Sequence, residues 1–569
     1  MNLGQGTGIG TGIVLFAAIV VLPGIFTTLI MIRNRDAEWY RQWAPAVWFM
    51  PLPAGFMAAS ILMEILEFTH RLSLGNVLSG AVIYTGVTGL LLLRRPGSGL
   101  GRETVLRGLR RTDRKRLLWP LAAVTVYMFL TVYPFDFMFE TTDSGVYVAS
   151  GIHAFKTGSF RFVDPELIDA SPAFRETFTL KTPHEYWITA RDFHFQGIMG
   201  TGFVIRSYDS GLIEPRYFNL HPFWIGLFVE MFGLEPGMWL ATPFTALCGI
   251  SGIFLLAWAL AGWSAGMISL ALLSIFVLQV WFGRYITTEM PMQAAIMNGL
   301  AWFLIFRAGK RSGVAMVAAG TMLATAHFAR IDSVLIIPAV AAAAGIVICT
   351  GRSLRDFFTF GAAYTALTVP AVFMAVTRFH SYTLETLRHV RCEHFNPGYC
   401  AAGIAAVALA VAACLGIRRR RQQILTLLDK HRNRIWSVIL IIAGTALVYG
   451  YVLRPILHPP DYTAFHQADQ SVKSYSLNQM TLRWLGWYLS PPGLFAACAG
   501  LLMLLRKTWS VKTAVVWSIL SIYIVYFMHK IHCTPYHYWG MRRYITVVFP
   551  VLFIGLGTIA DAALTAARN

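Results

Sequence analysis

HPFWIGLFVEMFG, residues 221–233, decides how this chain is threaded. The stretch is apolar enough to invite counting as a membrane crossing, and a crossing here would reverse the side of every later loop. At about a dozen residues rising ~1.5 Å each, it falls short of the ~30 Å hydrocarbon core. Charge agrees with length. Threading it as a span would put RRRRQQILTLLDKHRNR (418–434) outside, against the tendency of Lys and Arg to stay cytoplasmic. We therefore read 221–233 as a juxtamembrane helix lying along the outer surface.

The rest of the chain follows from that choice. It has 569 residues, of which 56% are hydrophobic, 14% aromatic and 13% charged, the balance of an all-α polytopic membrane protein. Apolar runs of spanning length lie near 10–32, 44–66, 76–93, 117–135, 237–262, 265–283, 286–306, 313–328, 333–350, 357–378, 401–417, 435–454, 484–505, 511–528 and 545–566. That predicts about 15 transmembrane helices. No basic region precedes the first of them, so the first apolar segment is expected to stay rather than be cleaved. The basic stretches 94–116, 307–312, 351–356 and 418–434 share one side if the N-terminus is outside and the C-terminus cytoplasmic.

With this threading, residues 1–116 form an extension of three spans and a basic inner loop, and 117–566 form a second membrane module with a large outer loop at 136–236. Most of the 28 acidic residues fall on the outer side. The formal net charge of +19 belongs mainly to inner loops, where it meets anionic lipid; it is no sign of nucleic-acid binding. The seven cysteines are too few for a disulfide scaffold, although Cys392 and Cys400 share an outer loop and are predicted to pair.

Chemistry concentrates at the outer boundary. In PFDFMFETTDSGVYVASG (134–151), Asp136, Glu140, Asp143 and Tyr147 follow at spacings of four, three and four, one face of any helix continuing through them. GRYITTEMP (283–291) sets Arg284 and Glu289 in a turn with almost no linker, and HFARIDS (327–333) does the same with Arg330 and Asp332. These turn residues either pair as Arg284–Glu289 and Arg330–Asp332 fasteners or present guanidinium groups to a lipid phosphate. Water-exposed loops are polar in any case, and that bland reading stands beside the functional one. In the long loop, GFVIRSYDSGLIEPRYF (202–218) reads as a β-hairpin around Asp209-Ser210-Gly211.

Five stretches together resemble the GT-C superfamily of integral-membrane glycosyltransferases. DSGVYVASGIHAFKTG (143–158) is similar to its first-loop signature, and NLHPFWIGLFVEMFG (219–233) to its juxtamembrane helix, with Phe223 where a second Pro is common. GRYITTEMPM (283–292), HFARIDSVLIIPA (327–339) and YWGMRRYITVVFPVL (538–552) resemble its later arginine-bearing segments, in the family's order over 117–566. The branches most similar in pattern are the protein O-mannosyltransferases and the lipid A aminoarabinose transferases. The resemblance implies transfer of a sugar, with inversion, from a polyprenyl-phosphate donor to a lipid, glycan or protein acceptor outside the cytoplasm. The implied location is the inner (plasma) membrane of a bacterium. Residues 1–116 have no counterpart in the resemblance.

The residue chemistry suits that reaction. An acceptor hydroxyl becomes a nucleophile if a carboxylate takes its proton, and Asp143 is placed for the duty, its proton affinity raised by neighbouring Asp136 and Glu140. Arg284, Arg330, Arg542 and Arg543 are natural counter-charges for a departing phosphate. Tyr147, His221, Glu289, Asp332, His327 and His537 complete the substrate-binding candidates, although a lone outer-face histidine is more often structural. As a lesser alternative, Asp136 and Glu140 would bind a divalent cation, Mg²⁺ or Mn²⁺, together with Asp143 and the donor phosphate. The rival reading is a transporter or flippase of a lipid-linked or anionic substrate. Such a protein should carry its ionisable groups near the bilayer midplane, whereas here they gather at one interface.

Overall fold

The computed structural model describes residues 8–33, 35–93, 114–133, 143–178, 196–199, 202–307, 313–351, 354–380, 382–383, 422–423, 426, 430–459, 478–529 and 537–568. Asp136, Glu140, Cys392, Cys400 and the span expected at 401–417 lie outside these residues.

Helices of eight or more residues run along the chain as follows. Full-length apolar helices α1 (Ile9–Ile32), α2 (Pro51–Phe68) and α3 (Leu74–Leu93) are followed by the shorter α4 (Arg114–Thr131). α5 (Asp143–Thr157) and α6 (Leu220–Phe232) flank the outer loop, and α7 (Leu234–Ala261) is again of spanning length. α8 (Trp263–Ser274) and α9 (Val277–Arg284) meet at a bend of 63°. α10 (Glu289–Arg307), α11 (Gly313–Thr325), α12 (Ile331–Thr350), α13 (Leu354–Thr377) and α14 (Arg432–Leu457) come next. α15 (Asn478–Leu489) and α16 (Pro491–Thr508) are bent by 100°, and α17 (Ala514–His529), α18 (His537–Ile545) and α19 (Val548–Arg568) end the series.

Among the described residues eight helices are long and apolar enough to cross a membrane, or ten if each bent pair is one span. The protein is thus polytopic and helical, and among the described residues some of the expected spans are shortened or broken. The segment expected at 44–66 opens with a 3₁₀ stretch, Ala44–Phe49, before α2 begins. The span expected at 484–505 is interrupted at Ser490, whose φ of +62° and following Pro491-Pro492 turn the chain, with Ser490 Oγ capping Gly493 N at 3.2 Å.

The chain divides into two compact units. Unit 1 comprises Met1–Gly252, Gln279–Ser333 and Ala362–Glu393, so the N-terminal helices share a unit with the outer loop. Its interior is organised by α6. At 13 residues α6 is too short to span, as its sequence requires, but it does not lie on a surface: Leu220, Phe223, Trp224, Ile225 and Leu227 are fully buried. It packs against α5, α1 and α2. The contact with α5 runs backbone to backbone, because a Cβ on Gly151 would stand 2.2 Å from the Pro222 carbonyl oxygen.

The outer loop carries a four-stranded antiparallel sheet of β1 (Phe162–Val163), β2 (Gly197–Met199), β3 (Phe203–Ser207) and β4 (Leu212–Pro215), ordered β1-β4-β3-β2. β3 and β4 are the hairpin read from 202–218, turning through Gly211 at φ +62°. Leu167, Ile205, Tyr208 and Ile213 form its core. Buried Glu214 takes Arg161 at 2.6 Å and Arg206 at 2.5 Å.

Unit 2 comprises Ile253–Leu278, Val334–Gly361 and His394–Asn569. α16 and α19 cross at Gly500 and Gly555, and Ser269 of α8 donates to the Phe553 carbonyl of α19 at 3.1 Å. The last carbonyls of α17 are satisfied from three directions. Tyr544 OH donates to Phe527 O at 3.1 Å, Thr481 Oγ1 to Met528 O at 2.7 Å and Arg454 Nη1 to His529 O at 2.8 Å.

Candidate functional site

The outer turn between α9 and α10 is the hub of unit 1. Arg284, the last residue of α9, donates from Nε to the Tyr133 carbonyl just beyond α4. Two residues on, the Ile286 carbonyl accepts from Ser144 Oγ at 3.2 Å, which fixes the start of α5 and so Asp143, its first residue. Glu289 opens α10 with its side chain fully buried, and its carboxylate takes Arg330. Three residues of the turn, Arg284, Ile286 and Glu289, thus bring α4, α5, α10 and the 330 corner to one place.

Arg330 is the shared cation of that place. Its Nε donates to Asp332 Oδ1 at 2.8 Å, and its Nη1 serves both Glu289 Oε1 and Thr288 Oγ1, the latter at 3.2 Å. The Arg330–Asp332 pair matches one expected fastener. The other is different: among the described residues Glu289 pairs with Arg330 and not with Arg284. A planar fork reaches two carboxylates at once, and Arg330 sits between them. The corner is braced behind by His327, whose Nδ1 meets Ser333 Oγ at 2.9 Å and whose Nε2 meets Tyr364 OH at 2.8 Å. Ser333 Oγ in turn lies 2.6 Å from the Arg330 carbonyl. His327 is therefore buried in structural hydrogen bonds.

Asp143 looks onto a cluster of tyrosines. Tyr217 is hydrogen-bonded to its carboxylate. Tyr147, one turn along α5, has its ring 5.5 Å from Tyr217 and 6.1 Å from His221, and Tyr217 lies edge-on to Tyr382 at 5.4 Å. Burial, then the negative charge of Asp143, holds the phenols of Tyr147 and Tyr217 well above the usual tyrosine range. Glu289 also acts on Tyr147, and Tyr382 on Arg330, so carboxylate, tyrosines and ion pair share one electrostatic neighbourhood. His221 contacts Thr242 Oγ1 at 3.2 Å, and burial pushes its imidazole down to about 3, so it is neutral at ordinary pH.

The structure thus brings Asp143, Tyr147, Glu289, Arg330 and Asp332 together, with Arg284 anchoring the hub and His221 beneath. Tyr217 and Tyr382 belong to the group although sequence reasoning passed them over. Tyr217 stands two residues before the recognised NLHPF stretch and was within reach; Tyr382 joins only through tertiary contact. His537, Arg542 and Arg543 lie on α18 of unit 2. Among the described residues there is no group of three His, Cys, Asp or Glu able to hold a metal ion. The three-acid cation site read from the sequence includes Asp136 and Glu140, outside those residues.

No family model matches the chain, and no curated protein matches it. Among solved structures it is similar to the oligosaccharyltransferase of Archaeoglobus fulgidus tethered to an acceptor peptide containing the NVT sequon, with TM-score 0.43 and 11% identity. It is likewise similar to that archaeon's oligosaccharyltransferase in complex with an inhibitory peptide and a dolichol-phosphate, with TM-score 0.42 and 12% identity. Each match covers 80% of this chain and 51% of the other, so the chain spans about half the length of these relatives.

Proposed function

We propose that the protein is a membrane glycosyltransferase of GT-C type that moves a sugar from a polyprenyl-phosphate donor to an acceptor hydroxyl or similar group on the outer face, with inversion. The observation that carries this reading is the placement of Asp143. It stands at the first turn of a helix pinned by Ser144 to the arginine turn, with a tyrosine hydroxyl on its carboxylate and an ion-pair cluster beside it.

In the proposed reaction one carboxylate oxygen of Asp143 is oriented by Tyr217, and the other takes the acceptor proton as the oxygen attacks the anomeric carbon. The sugar–phosphate bond breaks on the opposite face, and the phosphate leaves with the bonding pair. Arg284 is the proposed counter-charge for that anion. Arg330 is reassigned: two carboxylates already engage it, so its proposed part is to hold Glu289 and Asp332 in place. The rings of Tyr147, Tyr217 and Tyr382 offer a wall for a sugar face. The outside N-terminus, cytoplasmic C-terminus and bacterial plasma-membrane location remain part of the proposal.

The test is transfer from polyprenyl-phosphate sugars to candidate acceptors by the purified full-length protein, wild type against Asp143→Asn. Loss of about 10²–10⁴-fold in kcat is expected for a general base. Full activity of the variant would remove Asp143 from that role, and no transfer by wild type across donors would overturn the enzyme reading.

A further inference from the structure

α2, which lies in the N-terminal extension without counterpart in the resemblance, presents a polar stripe to the interior of unit 1. Ser60, Glu64 and Glu67 are buried at helical spacing on one face. Ser60 Oγ accepts from Trp224 Nε1 of α6 at 3.0 Å. Glu64 Oε2 accepts from Nδ2 of Asn219, the residue before α6, at 2.8 Å. Glu67, fully buried, takes Arg378 on both carboxylate oxygens and the backbone N of Phe160 on Oε1 at 3.4 Å.

Each partner sits close in sequence to a site tyrosine. Asn219 is two residues past Tyr217, and Arg378 is four before Tyr382. The two segments meet directly: Phe379 lies 5.0 Å from Phe218 and 5.7 Å from Phe160, and Tyr382 lies 5.9 Å from Phe218. Glu67, Arg378, Asn219 and Phe160 also line one small cleft, with Phe379 at its wall. A carboxylate this deeply buried is costly unless paired and hydrogen-bonded, and Glu67 meets that cost through Arg378 and Phe160 N.

We propose that Glu67 is a positioning residue for the transfer site: through Arg378, and with Glu64 through Asn219, the N-terminal helix α2 sets the Tyr217–Tyr382 wall beside Asp143. The three N-terminal spans are then a working part of the enzyme. This assignment rests on the glycosyl-transfer reading for its kinetic arm only.

The experiment uses the full-length protein with Glu67→Gln, and with the neutral pair Glu67→Gln/Arg378→Gln, which leaves neither member of that ion pair without its partner should the single variant fail to fold. Hydrogen exchange without substrate is expected to rise at 374–380 and 217–220 while the α10–α11 hairpin keeps wild-type protection. Transfer is expected to fall about 10–100-fold in kcat/KM. A cycle with Tyr382→Phe is expected to be non-additive. Unchanged exchange at both segments, a uniform rise over the whole chain, or strict additivity with Tyr382→Phe would each overturn the proposal. A local rise in exchange together with no transfer by wild type upholds the clamp and overturns the transfer reading instead.

Discussion

Ser144 Oγ donates to the carbonyl of Ile286 at 3.2 Å, and through this one bond the helix that begins with Asp143 is fastened to the turn that carries Arg284 and Glu289. Ser144 is fully buried, so the hydroxyl has no water to fall back on. Ser144→Ala removes a bond worth about 1 kcal/mol and leaves a carbonyl poorly satisfied. The expected outcome is a small drop in thermal stability with a larger loss of transfer, about tenfold, because a shift of under an ångström in a proton acceptor is felt in rate more than in folding. Equal, slight effects on both would show that the bond fastens the helix without orienting Asp143.

A second expectation concerns the shared cation. Glu289→Gln leaves Arg330 with one carboxylate in a site that excludes water, and breaking a buried pair costs about 3–5 kcal/mol. Arg330→Lys should cost nearly as much, since a point-charge ammonium cannot fork to Glu289, Thr288 and Asp332 together. Thermal unfolding in detergent measures both. A variant that melts with wild type would show that the pair is dispensable to the fold.

What the sequence disclosed was local. The thirteen residues of α6 read correctly as too short to span, because length against bilayer thickness is a one-dimensional question. The β3–β4 hairpin was visible in its Asp-Ser-Gly turn, whereas β1 and β2, two and three residues long, carry too little pattern to be seen. Pairing across distance was hidden. Glu289 had a plausible arginine five residues upstream, yet its partner is Arg330, 41 positions away, and Glu67 finds Arg378 across 311. Periodicity can place a charge at the outer boundary, but only tertiary packing decides which opposite charge it meets.

The helix crossing beneath the site makes a third prediction. A methyl on Gly151 would stand 2.2 Å from the Pro222 carbonyl oxygen and 3.0 Å from Gly226 N, both backbone atoms that no rotamer change can move. Gly151→Ala should therefore push α5 from α6 and cost about 1–3 kcal/mol. Gly86→Ala in α3, where nothing lies within 4 Å, is the control. There the helix preference of Ala should give a neutral or slightly positive change, up to about 1 kcal/mol. Paired thermal melts decide it; matching effects at the two glycines would refute the close crossing.

His221 makes the fourth, through pH. Burial holds its imidazole at about 3 in the folded protein, against about 6.5 when unfolded. Between those values the unfolded chain binds a proton that the folded one does not, so stability rises with pH. The contribution is complete above about pH 6.5 and is lost progressively as pH falls toward 3, at about 1.4 kcal/mol per pH unit while the difference is one whole proton. His221→Gln keeps a polar atom near Thr242 but cannot be protonated. Its unfolding temperature should accordingly fall less steeply than wild type between pH 6.5 and 4, the two curves drawing together as pH drops. Parallel curves across that range would mean that His221 is charged, or water-exposed, in the folded protein, and the buried floor assigned to the tyrosine cluster would be wrong.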